Sequence, residues 1–185
     1  MKGMVFTEFL EMVEEKFSPE MAEDIIESSD LESSGVYTSV GTYDHHEMIT
    51  LVTCLSRETG IPARDLIRTF GEHLFKRFRH LFPNYFEGVP SAFDFLRRVD
   101  NYVHIEVRKL YPDAELPTFT CETLRPDQLS ITYRSSRPFA ALAEGLIRGC
   151  IAYYGEPIEI GTDGRCHQTH SENGHANPDE LHQPA

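Results

Sequence analysis

Apolar residues recur at the period of an α-helix along the first third of the chain. Residues 4–17 place a broad apolar face opposite a run of glutamates, the pattern of an amphipathic helix that packs inward. Ser18 before Pro19 fits the N-cap and the first residue of a second helix. Asp44 fits the N-cap of a third helix, which Gly60 would end. The N-terminal part of the chain is therefore predicted to be helical.

The helical period continues in the middle of the chain. Pro62 opens a fourth helix with a wide apolar face, made of Leu66, Phe70, Leu74, Phe75 and Phe78. From Leu96 onward, apolar residues again recur every three to four positions, at Val99, Val103, Val107 and Leu110. His104 lies about a third of a turn from the centre of this stripe, so its ring can point into an apolar cavity.

Strand patterns are confined to the last part of the chain. Residues 118–122 and 129–133 are predicted to form antiparallel strands, joined by a turn at Pro126 and Asp127. A helix at 138–153 should follow, and 157–160 is predicted to be a further short strand. The fold class is therefore α+β, with mainly helices and a small antiparallel sheet.

His104 is the first candidate for chemistry. A neutral imidazole at the edge of an apolar cavity is able to ligate iron. The position alone is weak evidence, because a single helical histidine is more often a hydrogen-bonded core or surface residue. Both interpretations stay open on this residue alone.

Tyr133, Ser135 and Arg137 form the second candidate. In an extended strand, residues two apart project from one face, about 6–7 Å from each other. Two hydroxyls and a guanidinium in such a row would supply directional donors for a pair of carboxylates. Pro138 biases Arg137 toward the extended region and can lie in the first turn of the next helix. Alone, such a string is more often an exposed strand face.

Together these residues carry a specific resemblance. The Tyr-x-Ser-x-Arg triplet, the histidine in Asp-Asn-Tyr-Val-His-Ile-Glu-Val-Arg-Lys-Leu-Tyr-Pro, the proline thirteen residues beyond that histidine and the Met-Lys-Gly start resemble the H-NOX family of haem gas sensors. The resemblance covers residues 1–160 as a single haem-binding domain. It implies the H-NOX fold, with a helical distal part at about 1–62 and a proximal part of long helices and a small antiparallel sheet at 63–160.

The resemblance also implies roles for individual residues. His104 matches the family's proximal ligand to the iron of haem b. The triplet Tyr133, Ser135 and Arg137 matches the clamp that holds the haem propionates. Pro117 matches the proline that presses on the porphyrin and distorts it. The distal pocket is matched by six apolar positions: Val5, Phe9, Leu74, Phe78, Leu142 and Leu146.

A gas sensor is the function that this resemblance implies. Leu142 lies where oxygen-binding members present a tyrosine hydroxyl, so we expect ferrous iron to bind NO and CO without a stable O2 complex. We expect the signal to pass to a separate protein, which in bacterial relatives is a histidine kinase, a diguanylate cyclase or a chemotaxis protein. The alternatives are an O2-binding haem protein, a haem enzyme and a cofactor-free adaptor. We expect no enzymatic activity, because the mapped pocket lacks an acid–base pair.

Composition and charge narrow the possible partners. The chain has 185 residues and a net charge of −13, without a basic patch interleaved with aromatics, which disfavours binding to nucleic acid. Glutamates interrupt the N-terminus before a signal-peptide core can form, and no apolar run approaches the length of a membrane span. We therefore expect a cytoplasmic protein without membrane insertion. The four cysteines are widely spaced and are expected to be free thiols.

Residues 161–185 have a different composition from the rest of the chain. They hold four histidines, and Leu181 is their only large aliphatic residue. We predict a polar, partly disordered segment, with the sheet either shorter than in the family or completed by an atypical strand. One interpretation of this segment is a specific zinc or nickel site. The alternative is adventitious metal binding by a solvated histidine-rich end. The candidate ligands are Cys166, His167, His170 and His175.

Overall fold

Helices and one β-hairpin make up the computed structural model, which describes residues 1–161. The helices are α1 Gly3–Lys16, α2 Pro19–Glu27, α3 His45–Thr59, α4 Ala63–Leu81, α5 Ala92–Arg98, α6 His104–Leu110 and α7 Ala140–Tyr154. The strands are β1 Thr118–Arg125 and β2 Gln128–Arg134. A short 3-10 turn, Pro83–Tyr85, follows α4, and a π-helical segment, Val99–Val103, joins α5 to α6. The predicted α+β class is confirmed.

Local capping explains where the first helices begin and end. The Ser18 hydroxyl accepts a hydrogen bond from the Met21 N–H at 3.1 Å, and the Asp44 carboxylate accepts one from the His46 N–H at 3.0 Å. α3 ends at Gly60, whose φ of 70° is the left-handed conformation that favours glycine. The predicted boundaries at these positions are confirmed.

The helix that carries His104 departs from the prediction of one continuous α-helix. Within Val99–Val103 the hydrogen bonds are π-helical, and the His104 N–H donates to the carbonyl of Val99, five residues earlier. A π turn accommodates one extra residue in a helix without breaking it. An apolar spacing of three to four residues is compatible with that insertion, so the pattern did not reveal it.

The hairpin is antiparallel, as predicted, with Phe119 opposite Tyr133. The predicted strand at 157–160 is wrong: these residues form no β-pairing, and Ile158 packs against an apolar core instead. Pro138 does not lie in the first turn of α7, because Phe139 has a non-helical φ of −113° and α7 begins after it.

Two apolar cores share helix α4. The first core is formed by α1, α2, α3 and α4 up to Leu74, and the second by α5, α7 and α4 from Phe75. α4 and α7 approach closely because both carry glycine at the contact: a Cβ added to Gly71 would lie 2.4 Å from the carbonyl oxygen of Leu142. Both cores therefore include side chains of α4, with Phe70 and Leu74 in the first and Phe75 in the second.

No helix within residues 1–161 has the length and apolar character needed to cross a membrane. The predictions made for residues 162–185 lie outside the described residues. These are the partial disorder of the segment, a final strand and metal binding by Cys166, His167, His170 and His175.

Candidate functional site

A cavity of about 360 Å³ lies where α1, α4 and α7 meet α6 and the hairpin. Its wall is mainly apolar. All but one of the predicted site residues line it: Val5, Leu74, Phe78, His104, Pro117, Tyr133, Ser135, Arg137, Leu142 and Leu146. The structure therefore brings together, in one cavity, residues that lie as far apart as α1 and α7 in the chain.

Phe9 is the exception. Its side chain is fully buried in the first core, edge-on to Phe70, with ring centroids 5.2 Å apart. The role of Phe9 in a distal pocket stays a prediction. Val5, one helical turn earlier on α1, lines the cavity as predicted.

His104 is buried at the start of α6, and its orientation is fixed by Asp100. The Nδ1 atom lies 2.9 Å from the Asp100 carboxylate, which also accepts a hydrogen bond from the Phe119 N–H at 3.3 Å. The ring of Phe119 lies against the imidazole, with centroids 5.8 Å apart. A proton on Nδ1 that is donated to Asp100 leaves Nε2 as the nitrogen able to bind a metal.

The protonation state of His104 suits a metal ligand. Burial lowers the pKa of His104 below its usual 6.5, and the hydrogen bond and charge of Asp100 partly oppose this shift. The imidazole is therefore neutral at pH 7. As the pH falls through 6.5, the unfolded chain takes up this proton more readily than the folded chain, so acid reduces the stability of the folded state.

The alternation predicted that Tyr133, Ser135 and Arg137 lie along one strand, but in the structure they do not. β2 ends at Arg134, and the Arg137 N–H donates to the Ser135 hydroxyl at 3.0 Å, which turns the chain. All three residues still line the same cavity. The turn, and not the strand period, therefore brings Ser135 and Arg137 to the site.

Arg137 already holds a carboxylate in this structure. Its guanidinium lies 2.6 Å from the carboxylate of Glu115, and the Arg137 side chain is 17% exposed, whereas that of Glu115 is 73% exposed. Because Glu115 is mostly in solvent, its carboxylate can return to water when another carboxylate takes its place. Arg137 is thus a largely buried cation with a geometry that accepts carboxylate oxygens.

The donor set fits a haem. The cavity combines a neutral imidazole, an arginine that binds a carboxylate, two hydroxyls and an apolar wall, which are the groups that iron, propionates and a porphyrin face require.

Sequence reasoning missed Asp100, Glu115 and Phe119. Asp100 had a usable signal, because a carboxylate four residues before a helical histidine can reach its ring. Glu115 and Phe119 had none.

Comparison with known proteins places the chain among haem proteins. The haem-NO-binding family profile matches residues 2–162. The chain is similar to the unliganded Fe(II) H-NOX protein from K. algicida, with a TM-score of 0.79 and 42% identity over 84% of each chain. It is also similar to the IWP-051-bound H-NOX from Shewanella woodyi in the Fe(II)CO state, with a TM-score of 0.74 and 44% identity over 84% of this chain and 82% of that one.

A more distant H-NOX protein, from S. oneidensis in the Fe(II)NO state, has the same fold. The TM-score is 0.82 at 24% identity, over 88% of this chain and 90% of that one. No curated protein sequence matches the chain. The fold and the cavity together define a haem-binding gas-sensor domain. Within that class, the chain belongs to the H-NOX family.

Asp100→Asn is expected to weaken haem retention by about tenfold or more, the usual effect of losing a charged partner of a ligating histidine. Asparagine keeps the size of the side chain and an acceptor oxygen, but it removes the charge that makes the imidazole more basic. Haem transfer to a competing apoprotein measures the effect. Glu106→Gln is the matched control, because Glu106 pairs with Lys109 at 2.6 Å and not with His104. Equal retention in the two variants would rule out this role for Asp100.

Proposed function

We propose that this chain senses NO, also binds CO, and holds haem b through His104 and the clamp of Tyr133, Ser135 and Arg137. The observation that carries the proposal is that a buried, neutral His104 lines the same apolar cavity as Arg137, whose guanidinium already holds a carboxylate. Haem, when bound, supplies a ferrous iron to which NO and CO can bind. Arg137 exchanges the Glu115 carboxylate for a propionate, and the hydroxyls of Ser135 and Tyr133 add directional donors.

The wall opposite His104 is proposed to select the gas. Val5, Leu74, Phe78, Leu142 and Leu146 line the cavity without a side-chain hydrogen-bond donor. Bound O2 takes on superoxide character and is stabilised by a donor, whereas NO requires none. A wall made of these residues therefore favours NO and CO over O2.

The signal is proposed to leave through His104 and α6. His104 would hold the haem iron, and NO binding to that iron would weaken this attachment and allow the helix that carries His104 to move. Tyr102 and Ile105 lie beside His104 and expose apolar side chains on the surface, where a partner can detect a shift of this helix. By analogy with the family, the partner is a histidine kinase, a diguanylate cyclase or a chemotaxis protein.

We propose that the protein is cytoplasmic. Cys54, Cys121 and Cys150 are free thiols in the structure. A reducing compartment preserves thiols in this state.

Pro117 lines the cavity and is proposed to hold the porphyrin out of plane by contact. In Pro117→Ala the haem should become flatter, because alanine lacks the ring atoms that make this contact. The out-of-plane modes in the resonance Raman spectrum should then lose intensity. Pro112→Ala serves as the control, since Pro112 does not line the cavity. Identical out-of-plane modes in Pro117→Ala and the parent chain would exclude this role.

The gas selectivity tests the proposed function directly. The ferrous chain in aerated buffer should show no persistent oxygen complex, should bind CO, and should end five-coordinate with NO. Leu142→Tyr should raise the O2 affinity by about tenfold to a hundredfold, since one new hydrogen bond contributes about 1–3 kcal/mol in a dry pocket. Absorption spectroscopy measures both results.

Leu142→Phe is the matched control, because phenylalanine adds the ring without the hydroxyl. A persistent oxygen complex in the parent chain would contradict the proposed selectivity. Turnover of peroxide with an organic reductant would instead favour the haem-enzyme alternative.

A further inference from the structure

A cluster of charged side chains surrounds a buried histidine where α1 packs on α4. His73 Nε2 lies 3.9 Å from the Glu8 carboxylate, and His73 Nδ1 lies 3.8 Å from that of Glu15. The ligand atoms of Glu8, Glu11 and His73 all lie within 4.8 Å of one another. None of these side chains belongs to the haem cavity.

His73 lacks a partner for one of its ring nitrogens. The side chain is 10% exposed, and Nε2 is buried without a hydrogen bond. Burial lowers the pKa of His73, so the ring is neutral at pH 7. In the tautomer with the proton on Nδ1, near Glu15, the Nε2 lone pair lies 3.9 Å from the Glu8 carboxylate. Two electron-rich atoms that face each other in a buried position indicate that a cation belongs between them.

The charge of the cluster also indicates a missing cation. Three carboxylates, of Glu8, Glu11 and Glu15, lie near two cations, Arg77 and Lys16, which leaves a net charge of −1 with His73 neutral. Arg77 contacts both carboxylate oxygens of Glu8 and lies 3.1 Å from Glu11. Burial and the nearby Glu8 raise the pKa of Glu11, as expected where acidic groups are crowded.

We propose that Glu8, Glu11 and His73 bind one divalent transition-metal ion, of which Zn²⁺ is the representative. One imidazole and two carboxylates are ligands that this class of ion accepts. Arg77, whose side chain is 34% exposed, is the cation that the metal displaces from Glu8 and that then turns toward solvent. The ion would link α1 to α4 beside the haem cavity, because Leu74 follows His73 and lines that cavity.

A second group, Asp44, His45 and His46, also has ligand atoms within 4.8 Å of one another. Its geometry is explained by the N-cap of α3, since the Asp44 carboxylate accepts from the His46 N–H. Asp44 and His46 are exposed. We therefore propose no metal site at this group, which can compete only weakly for added Zn²⁺.

The test uses the full-length haem-loaded chain after treatment with a chelator. The background variant removes the C-terminal ligands, with the substitutions Cys166→Ser, His167→Gln, His170→Gln and His175→Gln. Titration with Zn²⁺ against a fluorescent zinc indicator gives the stoichiometry and the dissociation constant. One equivalent of Zn²⁺ should bind to the background variant. His73→Gln in this background should weaken the Zn²⁺ affinity by about tenfold or more. His80→Gln, at the exposed end of the same helix, should leave it unchanged.

Arg77→Gln separates a metal site from a purely structural ion pair. Without the competing guanidinium, Zn²⁺ should bind more tightly, by about tenfold. An ion pair that only stabilises the α1–α4 contact predicts no gain of metal affinity in this variant. The Soret spectrum of each variant reports whether the chain is folded.

Two results would overturn the site. One is an equal zinc affinity in the background chain and in folded His73→Gln. The other is the absence of zinc binding both in the background variant and in Arg77→Gln. This second result is a valid test even if His73→Gln does not fold. Neither result bears on the haem, because His104 and the cavity are unchanged in all of these variants.

Discussion

His104→Gly should abolish the five-coordinate spectrum of the ferrous protein, and added imidazole should restore it. The substitution removes the ring that lines the cavity but keeps the Asp100 carboxylate, which remains able to accept a hydrogen bond from a free imidazole. Loss of the ligand removes the bond between the protein and the iron, so the expected change is complete rather than graded. Absorption spectra before and after titration with imidazole measure both effects.

The rescue should depend on Asp100. In His104→Gly with Asp100→Asn, free imidazole should bind more weakly than in His104→Gly alone, because its Nδ1–H loses a charged acceptor. His80→Gly is the control for a histidine lost from a helix away from the cavity. If the spectrum of His104→Gly matched that of the parent chain, His104 would not be the ligand.

Arg137→Ala should lose haem far more readily than Ser135→Ala. The variant leaves partly buried carboxylates without their charged partner, at a cost on the order of 2–4 kcal/mol, or roughly thirty- to a thousandfold in affinity. Ser135 contributes a neutral hydroxyl, whose loss is worth about 1 kcal/mol. The rate of haem transfer to an apoprotein that binds haem tightly measures the difference.

Glu115→Gln provides an internal control with the opposite sign. Glu115 lies 2.6 Å from Arg137 and would compete with a propionate for the guanidinium. Removing the charge of Glu115 should therefore maintain or increase the haem affinity. Glu115→Gln and Arg137→Ala both break the same ion pair, but their expected effects on haem affinity differ. Similar losses in Glu115→Gln and Arg137→Ala would mean that the pair stabilises the loop and does not clamp the haem.

Local chemistry explains which parts of the fold were predictable. Ser18, Asp44 and Gly60 determine helix ends through bonds and conformations that involve only their neighbours, so the sequence located them. The turn at 126–127 determined the hairpin for the same reason. His104, Pro117 and the triplet were found because their order and spacing resemble those of a family. All of these residues line one cavity.

Features that depend on distant contacts were missed. The 157–160 segment has a strand-like composition, but no strand within residues 1–161 pairs with it, and Ile158 packs on the core instead. Phe9 packs edge-on against Phe70, a contact between α1 and α4 that joins distant parts of the chain. Ser135 and Arg137 leave the strand because the Arg137 N–H bonds to the Ser135 hydroxyl. None of these choices is encoded in the periodicity of the segment concerned.

The π-helical segment determines the direction in which the His104 side chain points. Successive residues of an α-helix are rotated by about 100° around its axis. Conversion of Val99–Val103 to an α-helix without loss of a residue would rotate every later side chain by roughly that angle. The imidazole would then turn away from the cavity, although its chemistry and its helix were unchanged. The π turn therefore sets the direction of the imidazole, by taking up one residue more than an α-helical turn would hold.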